Sequence, residues 1–224
     1  MTELPGFRQS AAWLALAAGM AFAVPAVFSM GLRWERSLFL VPYVGIIGTL
    51  LLVYFRRHPV SMKQLTGHWP FALVGIAVAS VVLLRNITGQ PASAVPSGLQ
   101  LVMALAWVGL AYGVTDALLL NVFPVLAVQG GGFFEQQPSR SVRLKRGLVA
   151  LAASLAMTVA YHLGYTEFQG PAMVSALIGN AIITSTYLLT GSPLAAVATH
   201  VIMHAAAVLH GMETTLQVPP HYGL

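Results

Sequence analysis

Two histidines, His200 and His204, stand four residues apart inside the apolar run PLAAVATHVIMHAAAVL, residues 193–209. On a helix that spacing is about 40° of rotation, so both imidazoles leave one face, one turn apart. Two more ionisable residues, Asp116 and His162, lie within other apolar segments. Ionisable groups at membrane depth are costly, and they face a bundle interior, a partner side chain or a water-filled cavity. A carboxylate and imidazoles that meet in such a place can hold a divalent ion or activate a water.

The elements that position these residues are membrane spans. The chain has 224 residues, of which 57% are hydrophobic and 8% charged, with a mean hydropathy of +0.78. That balance belongs to a polytopic membrane protein, and the predicted fold class is an all-α transmembrane helical bundle. Seven apolar segments are expected, at about Ala11–Met30, Leu38–Phe55, Pro70–Leu84, Leu99–Val128, Gly147–Leu163, Pro171–Thr190 and Pro193–His210. Gly113 and Pro124 are expected to kink or break the long fourth segment. Thr190-Gly191-Ser192-Pro193 supplies a glycine stop and a proline start between the last two. These segments use nearly the whole chain, so residues 1–224 are expected to form a single integral membrane domain without a separate soluble one or a cleavable signal peptide. Cysteine is absent, which excludes thiolate nucleophiles, disulfides and Cys-based zinc sites.

The net charge of +5 does not indicate nucleic-acid binding, because the basic residues sit in short loops between spans. Arg8, Arg56, Arg57, Lys63, Arg140, Arg143, Lys145 and Arg146 fall on the side holding the N-terminus, against Arg33, Arg36 and Arg85 on the other. The positive-inside rule makes the first side the cytoplasm and leaves the C-terminal tail outside. With no organelle signal in view, a prokaryotic cytoplasmic (inner) membrane is expected. Counting up each span at ~1.5 Å per residue places Asp116, His162 and His204 near one level, with His200 about a turn lower.

The order of these residues resembles the CPBP family of CAAX proteases and bacteriocin-processing enzymes, which are glutamic-type intramembrane proteases. The resemblance covers about residues 99–210. Its closest stretch runs from Leu188-Leu-Thr-Gly-Ser-Pro through His200-Val-Ile-Met-His204, which looks like the family's third motif, with His204 where Asn is commoner. Ala160-Tyr161-His162-Leu163 looks like the second motif, with Thr158 where Phe is usual. The first motif, Glu-Glu-x-x-x-Arg, has two possible placements: Glu135-Gln-Gln-Pro-Ser-Arg140, or Asp116-Ala-Leu-Leu-Leu-Asn121. Glu135 follows three glycines in a cytoplasmic loop, and a mismatch in depth of ~20 Å would require a re-entrant segment to bring it to His162. Asp116 and Asn121 are therefore preferred.

What the resemblance implies is peptide-bond hydrolysis in or beside the membrane. Asp116 would act as the base. His162, His200 and His204 would orient water, stabilise an oxyanion or hold a divalent metal such as zinc. Asn121 replaces the arginine and can hydrogen-bond without pairing a charge. Glu167, near the outer membrane face, is a secondary candidate carboxylate, with exposure in a loop as its ordinary expectation. Tyr161 is a further candidate donor, although interfacial placement is expected for it and Tyr165. The partners implied are membrane lipid and a membrane-associated or lipidated protein or peptide substrate. A second class of function stands beside the protease: a non-catalytic relative that serves as a membrane adaptor or as a proton- or metal-binding membrane protein.

Overall fold

The computed structural model describes residues 6–66, 68–130 and 139–211. Seven of its helices are long and apolar enough to cross a membrane, and no strand occurs among the described residues. We label them α1 (Phe7–Gly31), α2 (Arg36–Arg57), α3 (Trp69–Thr88), α4 (Gly98–Gly130), α5 (Arg140–Leu163), α6 (Ala172–Thr190) and α7 (Pro193–His210). A short helix, Met62–Thr66, precedes α3.

The helices extend the apolar segments at their ends. α5 starts at Arg140, so the basic run through Arg146 forms its first two turns instead of a loop. Ser139 caps that start, accepting from the Val142 N–H. Between α6 and α7, Gly191 takes φ +68°, the left-handed conformation in which glycine avoids the Cβ penalty. Pro193 then occupies the first position of α7, where its missing N–H costs nothing.

α4 is the centre of the bundle, touching α1, α2, α5, α6 and α7. It is neither broken nor sharply ended at Gly113 or Pro124. It runs through with two stretches of π-helix, Leu105–Tyr112 and Ala117–Val122, on either side of the α-helical turn Gly113–Asp116. α7 lies directly against it because Gly109 and Gly113 present no side chain at the crossing. A Cβ on Gly113 would stand 3.1 Å from the Val201 Cα and 3.4 Å from the His204 ring. Close approach through small residues is how membrane helices gain packing without a hydrophobic driving force.

Candidate functional site

Asp116, Asn121, His200 and His204 are all buried, with relative exposures of 3, 0, 3 and 1%. The Asp116 Oδ2 lies 3.9 Å from the His200 Nε2 and 3.8 Å from the His204 Nε2. One ligand atom from each of these three residues falls within 4.8 Å of the others, the arrangement of a possible metal group. The two imidazoles stack with centroids 5.0 Å apart and planes 9° apart, as the one-turn spacing on α7 predicts. Parallel rings send both Nε2 atoms toward the same carboxylate oxygen, which absorbs the one-turn difference in depth.

The second span holds the carboxylate: the Tyr43 hydroxyl donates to the Asp116 Oδ1. Tyr112, one turn before Asp116 on α4, sets its ring edge-on to His204 with centroids 4.6 Å apart. The Tyr112 and Tyr161 hydroxyls are 2.6 Å apart, and Tyr165 donates to Tyr161 over 2.6 Å. Tyr161 and Tyr165 are each 1% exposed, so they are interior hydrogen-bonding residues and not the interfacial belt expected of them. The sequence offers no periodic signal for Tyr43 and Tyr112. Only their role as tyrosines in greasy helices, each with a hydroxyl to satisfy, hints at a buried acceptor.

Asn121 meets the other side of His200, with its Oδ1 2.8 Å from the His200 Nδ1. Five residues of ordinary α-helix would separate Asp116 and Asn121 by about 140°. The π-helical stretch Ala117–Val122 closes i→i+5 hydrogen bonds and so brings i and i+5 toward one face. That local widening lets both residues address one imidazole.

His162 lines the same cavity, but it is not one of the three gathered donors. Its Nδ1 lies 2.9 Å from the Thr158 carbonyl of its own helix, and its ring packs edge-on to Tyr161 and Phe168. The depth count grouped it with His204, but it stands outside the group of ligand atoms that His204 shares with Asp116 and His200. Glu167 is exposed on the short turn Thr166–Phe168. Arg140 is exposed at the start of α5, and Glu135 lies outside the described residues. His210 reaches the loop after α3, its Nε2 2.8 Å from the Gln90 carbonyl.

The cavity has a volume of about 170 Å³, with Asp116, His162, His200 and His204 on its walls. Its lining also includes Val82 and Asn86 of α3 and Ser175 and Ile178 of α6, all exposed. It therefore opens sideways between two membrane-spanning helices. An apolar groove shares Val82 and Ile182 with this mouth and continues between α3 and α6 past Gly75 and Ala79.

A cation or a water fits this donor set. Both ring nitrogens of His204 are buried and lack a hydrogen-bond partner among the described residues, a costly state that a ligand between Asp116 and His204 relieves at Nε2. Tetrahedral zinc sets its ligand atoms ~3.4 Å apart, while a water with ~2.8 Å hydrogen bonds spaces its partners ~4.6 Å apart. The carboxylate–imidazole separations of 3.8 and 3.9 Å lie between these limits. Either occupant is therefore taken up after the donors shift by several tenths of an ångström, inward for a first-row ion and outward for a water.

The chain matches no family model, no curated protein and no solved structure. The resemblance to the CPBP family rests on the motif residues alone.

Proposed function

We propose that the protein is an intramembrane hydrolase of the endopeptidase type, acting on a membrane-associated or lipidated protein or peptide. The observation that carries the proposal is the convergence of the Asp116 Oδ2 and two imidazole nitrogens, from different helices, within 4.8 Å in a buried cavity. Two histidines and one carboxylate leave the fourth position of a tetrahedral zinc open, the composition of a catalytic site and not of a closed structural one. A bound divalent ion would lower the pKa of its water and polarise the scissile carbonyl. Asp116, His200 and His204 are the residues that would hold it. Without an ion, Asp116 is placed to accept the water's proton while the imidazoles orient the water.

The position of the mouth supports a substrate that arrives through the bilayer. Val82 and Ile178 are 48 and 57% exposed and face outward from the bundle. An apolar chain reaching the cavity between α3 and α6 would leave lipid without crossing a headgroup layer. His162 on the cavity wall gives its Nδ1 hydrogen to the Thr158 carbonyl, so in the neutral ring its Nε2 is available to accept from a water or a substrate N–H.

A second reading keeps the site and drops the hydrolysis: a metal- or proton-binding membrane protein. His204 favours it, since unpartnered buried nitrogens call for an occupant whether or not a reaction follows. Profiling of new peptide N-termini in membranes carrying the wild-type protein or Asp116→Asn separates the two. Cleavage products that vanish in a folded Asp116→Asn protein establish the peptidase. Identical peptide sets in both leave the binding protein.

A further inference from the structure

A run of hydrogen bonds leads from the Leu120 carbonyl to His200. A carbonyl can only accept, and the Ser154 hydroxyl of α5 donates to this one over 2.6 Å. Its only hydrogen is thereby used, so toward its other neighbours Ser154 is an acceptor. Those neighbours are the Thr184 hydroxyl at 2.7 Å and the Asn180 amide nitrogen at 2.9 Å. Thr184 has then spent its own hydrogen and accepts from the Asn121 Nδ2 at 2.8 Å, and the Asn180 Oδ1 accepts from the same nitrogen at 2.6 Å. Both amide hydrogens of Asn121 are committed, and only its carbonyl is left to face the His200 Nδ1 at 2.8 Å. A carbonyl accepts, so Nδ1 must carry the hydrogen. In the neutral ring, the Nε2 that faces Asp116 is left with its lone pair.

We infer that Ser154, Thr184, Asn180 and Asn121 form a one-directional hydrogen-bond chain that fixes the tautomer of His200 and so prepares its Nε2 to bind a cation at the Asp116–His200–His204 centre. All four are buried and come from three different helices. None but Asn121 touches a metal-binding candidate, so Ser154, Thr184 and Asn180 are positioning residues. Metal-bound histidines are held in this way, by donating the second ring nitrogen's hydrogen to an oxygen. The polarity starts at the Leu120 carbonyl, because reversing the links would leave it facing the Ser154 oxygen at 2.6 Å without a hydrogen between them.

The inference rests on the proposed metal centre for its purpose, but not for its first readout. Histidine-labelled ¹⁵N NMR of the full chain in detergent, with His200→Gln to assign the signal, reports which ring nitrogen carries the hydrogen. The wild-type protein is expected to show His200 protonated at Nδ1 only. Ser154→Ala and Thr184→Val, neither of which removes a group hydrogen-bonded to His200, are expected to give a mixture of tautomers. Titration with Co²⁺ alone, followed by its visible bands, is expected to show ~10–100-fold weaker binding in both variants. Protonation at Nε2 in the wild type overturns the inference even if neither variant folds, and so does an unchanged tautomer in folded variants. Absence of Co²⁺ binding by the wild type with the Nδ1-protonated ring overturns the cation-binding purpose and the metal reading of the site together, and leaves the tautomer-setting chain standing.

Discussion

Tyr43 of α2 donates its hydroxyl hydrogen to the Asp116 Oδ1, so the carboxylate turns its other oxygen, Oδ2, to His200 and His204. The two residues are 73 positions apart in sequence. The bond orients a group that would otherwise rotate freely about its last torsion. Tyr43→Phe is expected to leave the bundle folded, to lower its unfolding free energy by about 1 kcal/mol, and to weaken Co²⁺ binding. Steric trapping or SDS titration measures the first and visible absorption the second. Unchanged Co²⁺ affinity in the variant would remove Tyr43 from the site.

If the centre binds an ion, Zn²⁺ is expected to raise the thermal transition progressively, with about 2.7 kcal/mol gained at a free concentration a hundred times Kd. Asp116→Asn, His200→Ala and His204→Ala are expected to abolish the shift. His162→Ala is expected to keep it, since His162 is outside the gathered donors. Equal loss in all four variants would show that His162 belongs to the ligand set.

Gly113 is where α4 and α7 meet most closely. In Gly113→Ala the new methyl would stand 3.1 Å from the Val201 Cα and 3.4 Å from the His204 ring. The expected cost is about 1–3 kcal/mol from overpacking, with weaker Co²⁺ binding as α7 moves away from Asp116. Gly147 on α5 has nothing within 4 Å of its virtual Cβ. Gly147→Ala is therefore expected to be neutral or to stabilise by up to about 1 kcal/mol. The pair of variants, followed by thermal melting, distinguishes crowding at the crossing from a general intolerance of alanine.

The chain contains no cysteine, so single cysteines report topology without background. The distribution of arginine and lysine predicts His58 on the cytoplasmic side and Gln90 on the outside. In intact cells a membrane-impermeant maleimide is expected to label Gln90→Cys and not His58→Cys. The reverse pattern would invert the bundle.

The seven spans were legible because an apolar run of membrane length needs no partner to be recognised, and the helices differ from the expected segments mainly at their ends. Asp116, His200 and His204 were legible for the opposite reason. An ionisable group within such a run is too costly to be idle, and a four-residue spacing sets two rings on one face whatever surrounds the helix. The residues that complete the site were not legible. Tyr43, Tyr112, Ser154, Asn180 and Thr184 are types that membrane helices carry for many purposes, and nothing in their spacing points at one another. Tertiary structure alone decided that α2, α4, α5, α6 and α7 turn these groups inward to the same place. It also decided between His162 and Asn121. His162 lines the cavity beside the centre but spends its Nδ1 on its own helix. Asn121, a poor match by α-helical geometry, is carried to His200 by a π-helical turn. Level along a helix follows from counting residues, whereas the direction of a side chain depends on the local winding of the backbone and on the neighbours that accept its hydrogen bonds.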